Sequence, residues 1–514
     1  MRNYKRLTAL TLAVILAVLP LAGCSSKPDS IELPEEAEIQ QSAISSLPDS
    51  FDKVNNVSYV MVYNPDLYSE FNDVNNELAT GDFDQSVVDT TAVRAGELPD
   101  ETESRIMPLS QGELMGDFSF DDFELSEDRA GIVVPPDEVG DTKYFFYENI
   151  GMGYRTGGTF VCRYAGDHCC VWTLQGENII NDAKASACGK KFDQEIYDRE
   201  VEFFGEPRYA EDGGKIHLLL YDFKCVGLNV TLGYFNLYDI VFTTTDMSAP
   251  EALAYKLNLD HAIVNLNAAA LNNPVYEQYT YSTMVHEFQH LIFGSSIMCE
   301  PNPQFFNVWL NEALSGYIEN VFYPGIKESH VLSLQASRRV RHGQSLYNFG
   351  VEDGDIGVYG SVYLFAEFLK ELGGDKVFHG IHDYLRTTKD RIPTDDAALY
   401  EALGPDVVKK IDSAIVMPEG VSYANEQEEF TSKLTLAYYI SLLNGEIANP
   451  AAFSTVDKMT LLYDELDGCN IQGGGRVLLA TRNGKFRIPE SADKGLVYIG
   501  FDKNFKPVTS IIGN

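Results

Sequence analysis

A chain of 514 residues with 45% hydrophobic and 22% charged residues is long enough for two to four domains or subdomains, and globular rather than disordered. Its 76 acidic against 39 basic residues give a formal net charge of -37. Phosphate binding needs clustered Lys and Arg, so this balance argues against nucleic acid as a partner. Of the 8 cysteines, those other than Cys24 are odd in number and form no even disulfide framework.

The N-terminus reads MRNYKRLTALTLAVILAVLPLAGCSSKPDS. Arg2, Lys5 and Arg6 precede a short apolar run from Leu7 to Leu21, and small residues then lead to Cys24. This is the architecture of an export signal over residues 1–23, and the run is short for a spanning helix. The stretch LAGC resembles a bacterial lipobox, which implies cleavage before Cys24 and lipid on that residue. The chain is then expected on the bacterial cell membrane, facing outside the cytoplasm. From residue 25 to about 50, Ser, Pro, Glu and Gln predominate, as in a tether. VSYVMVYN (57–64) is a strand candidate. Residues 80–130 are acidic and weakly patterned, and read as loops, a linker or a pro-like region.

From residue 143 the patterning strengthens. KYFFYE and FVCRYAGDHCCVWTL read as strands. DQEIYDREVEFFG (193–205) has helical spacing and a glycine stop. KIHLLLYDF and HAIVNLNAAAL (261–271) read as strands, and YEQYTYSTMVHEFQHLIFG as a helix. The next stretch is mostly helical: NVWLNEALSGYIENVF, YGSVYLFAEFLKELGG, DKVFHGIHDYLRTT and DAALYEALG. After about residue 430 come one more helix and short strands with an Asn-Gly turn signal.

In MVHEFQHLIF (284–293) His286 and His290 stand four apart, hence on one helical face one turn from each other. Two imidazoles so placed can chelate one Zn²⁺, while Glu287 is left to accept a proton from a water on the metal. A catalytic zinc has three protein ligands and an open position. Glu312, in VWLNEALSGYIE, is a carboxylate among Trp309, Leu310 and Leu314. Burial there demands a partner, which a metal supplies.

HExxH followed about twenty residues later by Asn-Glu resembles the gluzincin metallopeptidases. The ordered set Ile263 to Asn267, Tyr281 to His290 and Trp309 to Glu312 is similar to the hyicolysin family of secreted bacterial metallopeptidases. The resemblance covers roughly residues 143–390. It implies that His286, His290 and Glu312 bind one zinc ion and that Glu287 is the general base. It further implies an α+β fold: a gluzincin-like core with a mixed-sheet N-terminal lobe, the active-site helix, and a helical C-terminal lobe. Thermolysin-like enzymes carry an aspartate four residues after the ligand glutamate to orient a ligand histidine. Here Gly316 stands there, so support must come from elsewhere, with Glu319 and Asn311 as candidates. Aminopeptidase-type members use a tyrosine at the head of a helix ending in Gly-Gly as oxyanion donor. Tyr359 holds the similar place, one residue closer to the glycines, with Tyr363 and His379 as lesser candidates.

Other readings stay open. The DHCC stretch (Asp167 to Cys170) lacks a second cysteine pair at zinc spacing. EDGDIG (352–357) could bind calcium through Asp353 and Asp355, but lacks the EF-hand pattern and reads better as a solvated turn. AIVNLNA is either an edge strand that could hold an extended substrate or an interior one. The expected organisation is an export signal (1–23), a tether and acidic region (24–142), a sheet lobe with the HExxH helix (143–300), a helical lobe (301–425) and an accessory α/β unit (426–514). The expected function is a zinc metallopeptidase acting on internal bonds of extracellular proteins or peptides. The alternatives are an exopeptidase of the same chemistry and a zinc-containing surface adhesion lipoprotein without turnover.

Overall fold

The computed structural model describes residues 57–67, 77–78, 137–150, 154–207, 214–225, 230–236, 262–295, 308–349, 355–388, 395–417, 421–463, 469–481 and 496–512. The export signal with Cys24, the tether, the acidic stretch 80–130, Asp353, Cys299 and the Asn-Gly turn at 483–484 lie outside these residues.

The fold is α+β. A six-stranded mixed sheet runs in the order β3 (Thr142–Asn149), β4 (Tyr154–Ala165), β5 (Cys169–Leu174), β6 (Ile216–Tyr221), β8 (Ile263–Asn267), β7 (Gly233–Phe235). Strands β3 to β5 are an antiparallel meander, β5, β6 and β8 are parallel, and β7 returns antiparallel to β8. The period of two sorts the side chains. Val171, Leu218, Leu220, Val264 and Leu266 enter the main core with the helices. Trp172, Leu219, Tyr221 and Ile263 enter an aromatic cluster with Phe145 and Phe160 on the other face. Burial on both faces is why KIHLLLYDF reads as a continuous apolar run.

One expectation is corrected here. Residues 261–271 are not one strand: it ends at Asn267, whose Oδ1 accepts the N–H groups of Ala269 (3.1 Å) and Ala270 (3.2 Å). That cap, with the alanines that follow, starts a short helix. Of the two readings left open for it, the strand takes the interior one, and the sheet edge on its side among the described residues is β7. The crossover from β5 to β6 contains α1 (Asp182–Lys191), a π turn (Phe192–Ile196) and α2 (Tyr197–Phe204). The helix expected at 193–205 thus begins with a wider turn. This places Phe192 and Tyr197, five residues apart, both against Phe288, with ring centroids at 4.8 and 5.4 Å.

After the short helix α3 (Ala268–Leu271) come α4 (Glu277–Phe293), α5 (Val308–Phe322), α6 (Ile326–Ala336), α7 (Arg338–Arg341), α8 (Gly357–Gly373), α9 (Lys376–Thr387), α10 (Asp395–Ala414, broken at Gly404) and α11 (Glu426–Leu443). Helix α4 packs against β7 and β8 on one side and α5 on another, and α5 packs on α8. Every residue of α4 from Thr280 to Phe293 is buried. A helix buried all round is normally apolar all round. The polar residues of α4 therefore need local partners.

A second sheet runs β10 (Arg476–Ala480), β1 (Tyr59–Tyr63), β11 (Val497–Phe501), β12 (Pro507–Ile512). Its second strand comes from the N-terminal part of the chain. Likewise β2 (Glu77–Leu78) pairs with β9 (Cys469–Asn470).

Candidate metal centre

His286 and His290 project from α4 with ring centroids 4.6 Å apart and planes perpendicular. Glu312 reaches them from α5: Oε2 lies 3.3 Å from His286 Nε2, and Oε1 lies 3.5 Å from His290 Nε2. One ligand atom from each residue lies within 4.8 Å of the others, and all three side chains are buried. Yet neither Glu312 oxygen nor either Nε2 makes a well-formed hydrogen bond. Facing donor atoms that converge without bonding one another suit a shared cation, because an unpaired buried charge is otherwise costly. Two imidazoles and a carboxylate are a donor set that Zn²⁺ accepts.

The support for His286 comes from Glu319. Its Oε1 lies 2.6 Å from His286 Nδ1, and its Oε2 accepts a hydrogen bond from Ser282 Oγ at 2.7 Å. Glu312 and Glu319 are seven residues apart, two helical turns on one face and about 10.5 Å of rise. The imidazole of His286 fills the gap between the two carboxylates. Gly316 lies on the same face between them, and a Cβ there would only reach ordinary contact with Tyr363 Cβ at 3.7 Å. The longer glutamate side chain, placed one turn further on, reaches the histidine that an aspartate at 316 would have met. Asn311, the other candidate, lies against His290 and favours its charged form.

Glu287 faces the sheet edge. Its Oε2 accepts the backbone N–H of Phe235 on β7 at 2.7 Å, while Oε1 has no hydrogen-bond partner. The approach depends on Gly233. A Cβ there would stand 2.8 Å from Thr283 Cγ2 on α4 and 2.9 Å from the Asn265 carbonyl oxygen. A larger residue would lift β7 off the helix and withdraw the N–H.

The electrostatics are those of a crowded buried site. Burial pushes the Glu287 carboxyl up to about 8, against the pull of His286 and the Phe235 N–H. Burial also acts to raise Glu312, but His290 and His286 outweigh it and hold that carboxyl down to about 2. His286 loses by burial and gains more from Glu319 and Glu312, so its imidazole is raised well above the usual range. His290 is lowered by burial. A cation among the three ligands would pull each of these groups towards its deprotonated form.

The remaining sequence candidates lie as follows. Tyr359 is the third residue of α8, buried, with its ring edge-on to Phe349 at 5.0 Å. Tyr363 donates its hydroxyl to Glu367 at 2.9 Å, and its ring lies 4.7 Å from that of His330. His379 is on the exposed side of α9. Asp355 caps helices: Oδ2 accepts from Ser337 Oγ (3.0 Å) and the Arg339 N–H (3.1 Å), and Oδ1 accepts from the Gly357 N–H (3.0 Å). Both carboxylate oxygens of Asp355 are thus engaged in hydrogen bonds within the protein. In DHCC, His168 stacks on Tyr197 at 3.9 Å, and Cys169 and Cys170 point to opposite faces of β5. Among the described residues, only His286, His290 and Glu312 converge as a metal-binding group.

Two buried groups escaped sequence reading. Glu200 on α2 is fully buried with neither oxygen hydrogen-bonded, and burial raises its carboxyl well above the usual range despite the field of His286. His330 on α6 is buried with neither ring nitrogen bonded, and burial drops it to about 4. The signal for Glu200 was its spacing: it sits between Tyr197 and Phe204 on the apolar stripe of its helix.

No family model matches the chain. The chain is 26% identical over 292 residues to the neutral metalloprotease ShpI of Staphylococcus hyicus, a match that takes in 55% of this chain. The chain spans about 61% of the length of that relative. No helix among the described residues is long and apolar enough to cross a membrane.

Proposed function

We propose that this chain is a zinc-dependent metallopeptidase that hydrolyses internal peptide bonds of extracellular proteins or peptides, with one ion held by His286, His290 and Glu312. The observation that carries this reading is the pairing of a buried, mutually unbonded His-His-Glu set with a neighbouring carboxylate that has one oxygen anchored and one free. Likeness to a neutral metalloprotease supports it. When bound, zinc supplies Lewis acidity that makes water nucleophilic at neutral pH and polarises the scissile carbonyl.

The chain's own residues do the rest. Glu287 takes the proton at Oε1, since Oε2 is occupied by the Phe235 N–H, and returns it to the leaving amine. Glu319 accepts from His286 Nδ1 and so directs Nε2 inward. Tyr359, at the head of a helix packed on the ligand helix, is the residue we assign as oxyanion donor. The strand β7, an edge among the described residues and hydrogen-bonded to Glu287, is the one we assign to pair with an extended substrate. Attachment through lipid on Cys24 would hold the enzyme outside the cytoplasm, on the membrane face where such substrates occur. An adhesion lipoprotein with a purely structural zinc would have no use for the free oxygen of Glu287.

The test is Glu287→Gln. The variant is expected to keep one zinc per chain by elemental analysis and to lose cleavage of a peptide library that the wild type digests. A chelator should abolish wild-type cleavage, and zinc should restore it. Cleavage by the variant at the wild-type rate, or a wild type that binds no zinc, would overturn the reading.

A further inference from the structure

The N-terminal strand lies where a removable leader would not. β1 is hydrogen-bonded on both sides, antiparallel to β10 from Tyr59↔Ala480 to Tyr63↔Arg476 and to β11 from Tyr59↔Phe501 to Tyr63↔Val497. Its flanks are tied as well. Ser58 N donates to the Phe501 carbonyl (2.7 Å), and Thr481 N to the Ser58 carbonyl (2.9 Å). Asn64 N donates to the Gly475 carbonyl (3.1 Å), and Asn64 Nδ2 to that of Ile471 (3.1 Å). Tyr63 donates its hydroxyl to the Ser432 carbonyl on α11 (3.0 Å), and Ser432 Oγ donates to the Pro65 carbonyl (2.7 Å). Val60, Met61, Val62 and Tyr63 are completely buried.

The segment that follows the strand also reaches towards the ligand helix. A Cβ on Gly474 would stand 2.6 Å from the Tyr347 ring and 2.9 Å from Leu67 Cδ2, so these two side chains close over that glycine. Tyr347 packs edge-on against Trp309 at 4.8 Å. Trp309 is on α5, one turn before Glu312. Removing residues 57–67 would strip a strand from between two others, leave both rows of partner N–H and C=O groups open, and uncover the apolar wall behind the ligand helix.

We infer that residues 57–67 are a permanent part of the working protein, so that N-terminal maturation ends before Val57. A hydrolytic cut further on, between β2 and β3, then leaves the N-terminal piece bound as a second chain. Both β1 and β2 hold that piece, since β2 pairs with β9. This goes beyond the proposed peptidase activity and is independent of it.

The experiment places the recognition sequence of a site-specific protease between Asp100 and Glu101 of the full-length chain. After cutting, the two pieces are expected to co-elute in gel filtration under native conditions and to separate only in denaturant. Zinc content and the unfolding midpoint should stay those of the uncut protein. The larger piece, isolated in denaturant and refolded alone, should unfold at a lower temperature. A synthetic peptide of residues 57–78 should restore the midpoint. Elution of the small piece apart from a larger piece with unchanged zinc content and midpoint would overturn the inference. So would a refolded larger piece as stable as the complex. None of these readouts needs peptide cleavage, so failure here is distinguishable from failure of the peptidase reading.

Discussion

Glu319→Gln and Glu319→Ala test the arrangement that replaces an aspartate at position 316. Glu319 makes two short contacts, 2.6 Å to His286 Nδ1 and 2.7 Å from Ser282 Oγ. Glutamine keeps one amide oxygen, enough to accept from His286, but loses the charge that favours the donor. Alanine loses both contacts and leaves Ser282 Oγ and His286 Nδ1 unpaired in a buried site. Loss of a hydrogen-bond partner behind a metal ligand typically weakens binding ~10–100-fold, which is about 1.4–2.7 kcal/mol. The glutamine variant should fall near the lower end and alanine near the upper. Competition with a chromogenic chelator of known affinity measures the zinc dissociation constant, and circular dichroism checks that the fold is kept. Ser282→Ala should weaken zinc less than Glu319→Ala, since it leaves the contact to His286 in place. If folded Glu319→Ala binds zinc within twofold of wild type, Glu319 does not support the ligand and the reasoning fails.

Three further outcomes are expected. Gly316→Ala places a methyl group at ordinary contact distance from Tyr363, so it should stabilise α5 by about 0.5–1 kcal/mol, and a lower melting temperature would refute this. Glu200→Gln should stabilise the protein increasingly as pH rises. Because burial raises the folded-state pKa of Glu200, the unfolded chain releases that proton first, and stability falls above the unfolded value by up to ~1.4 kcal/mol per pH unit. Thermal unfolding of both proteins from pH 5 to pH 8 checks this, and a gain independent of pH would contradict it. Asp355→Ala removes the carboxylate that accepts the Arg339 N–H at the start of α7 and the Gly357 N–H at the start of α8, and should cost about 1–2 kcal/mol in urea unfolding, with unchanged stability counting against this role.

What could be read from the sequence was what is decided locally. The four-residue spacing of His286 and His290 is a property of one helix, and so is the apolar setting of Glu312. The strands of the first sheet other than β7 announced themselves through β-branched and aromatic runs bounded by turns. The class of fold, α+β, was implied by the resemblance to the gluzincins, and the order of strands before helices along the chain agrees with it. Pairings between distant segments were not legible. That VSYVMVYN is a strand follows from its own residues. That it lies between β10 and β11 depends on partners more than 400 residues away, which no local pattern encodes. Whether AIVNLNA was edge or interior turned on β7, a three-residue strand too short to show a period. Glu319 and Asn311 were equally plausible supports on the α5 sequence. The packing of α5 on α4 set Glu319 against His286 and Asn311 against His290. Periodicity is written residue by residue, so the sequence by itself determined the helices and the candidate ligands they carry. Pairing and burial depend on the whole chain closing on itself, so only the tertiary structure decided which groups meet.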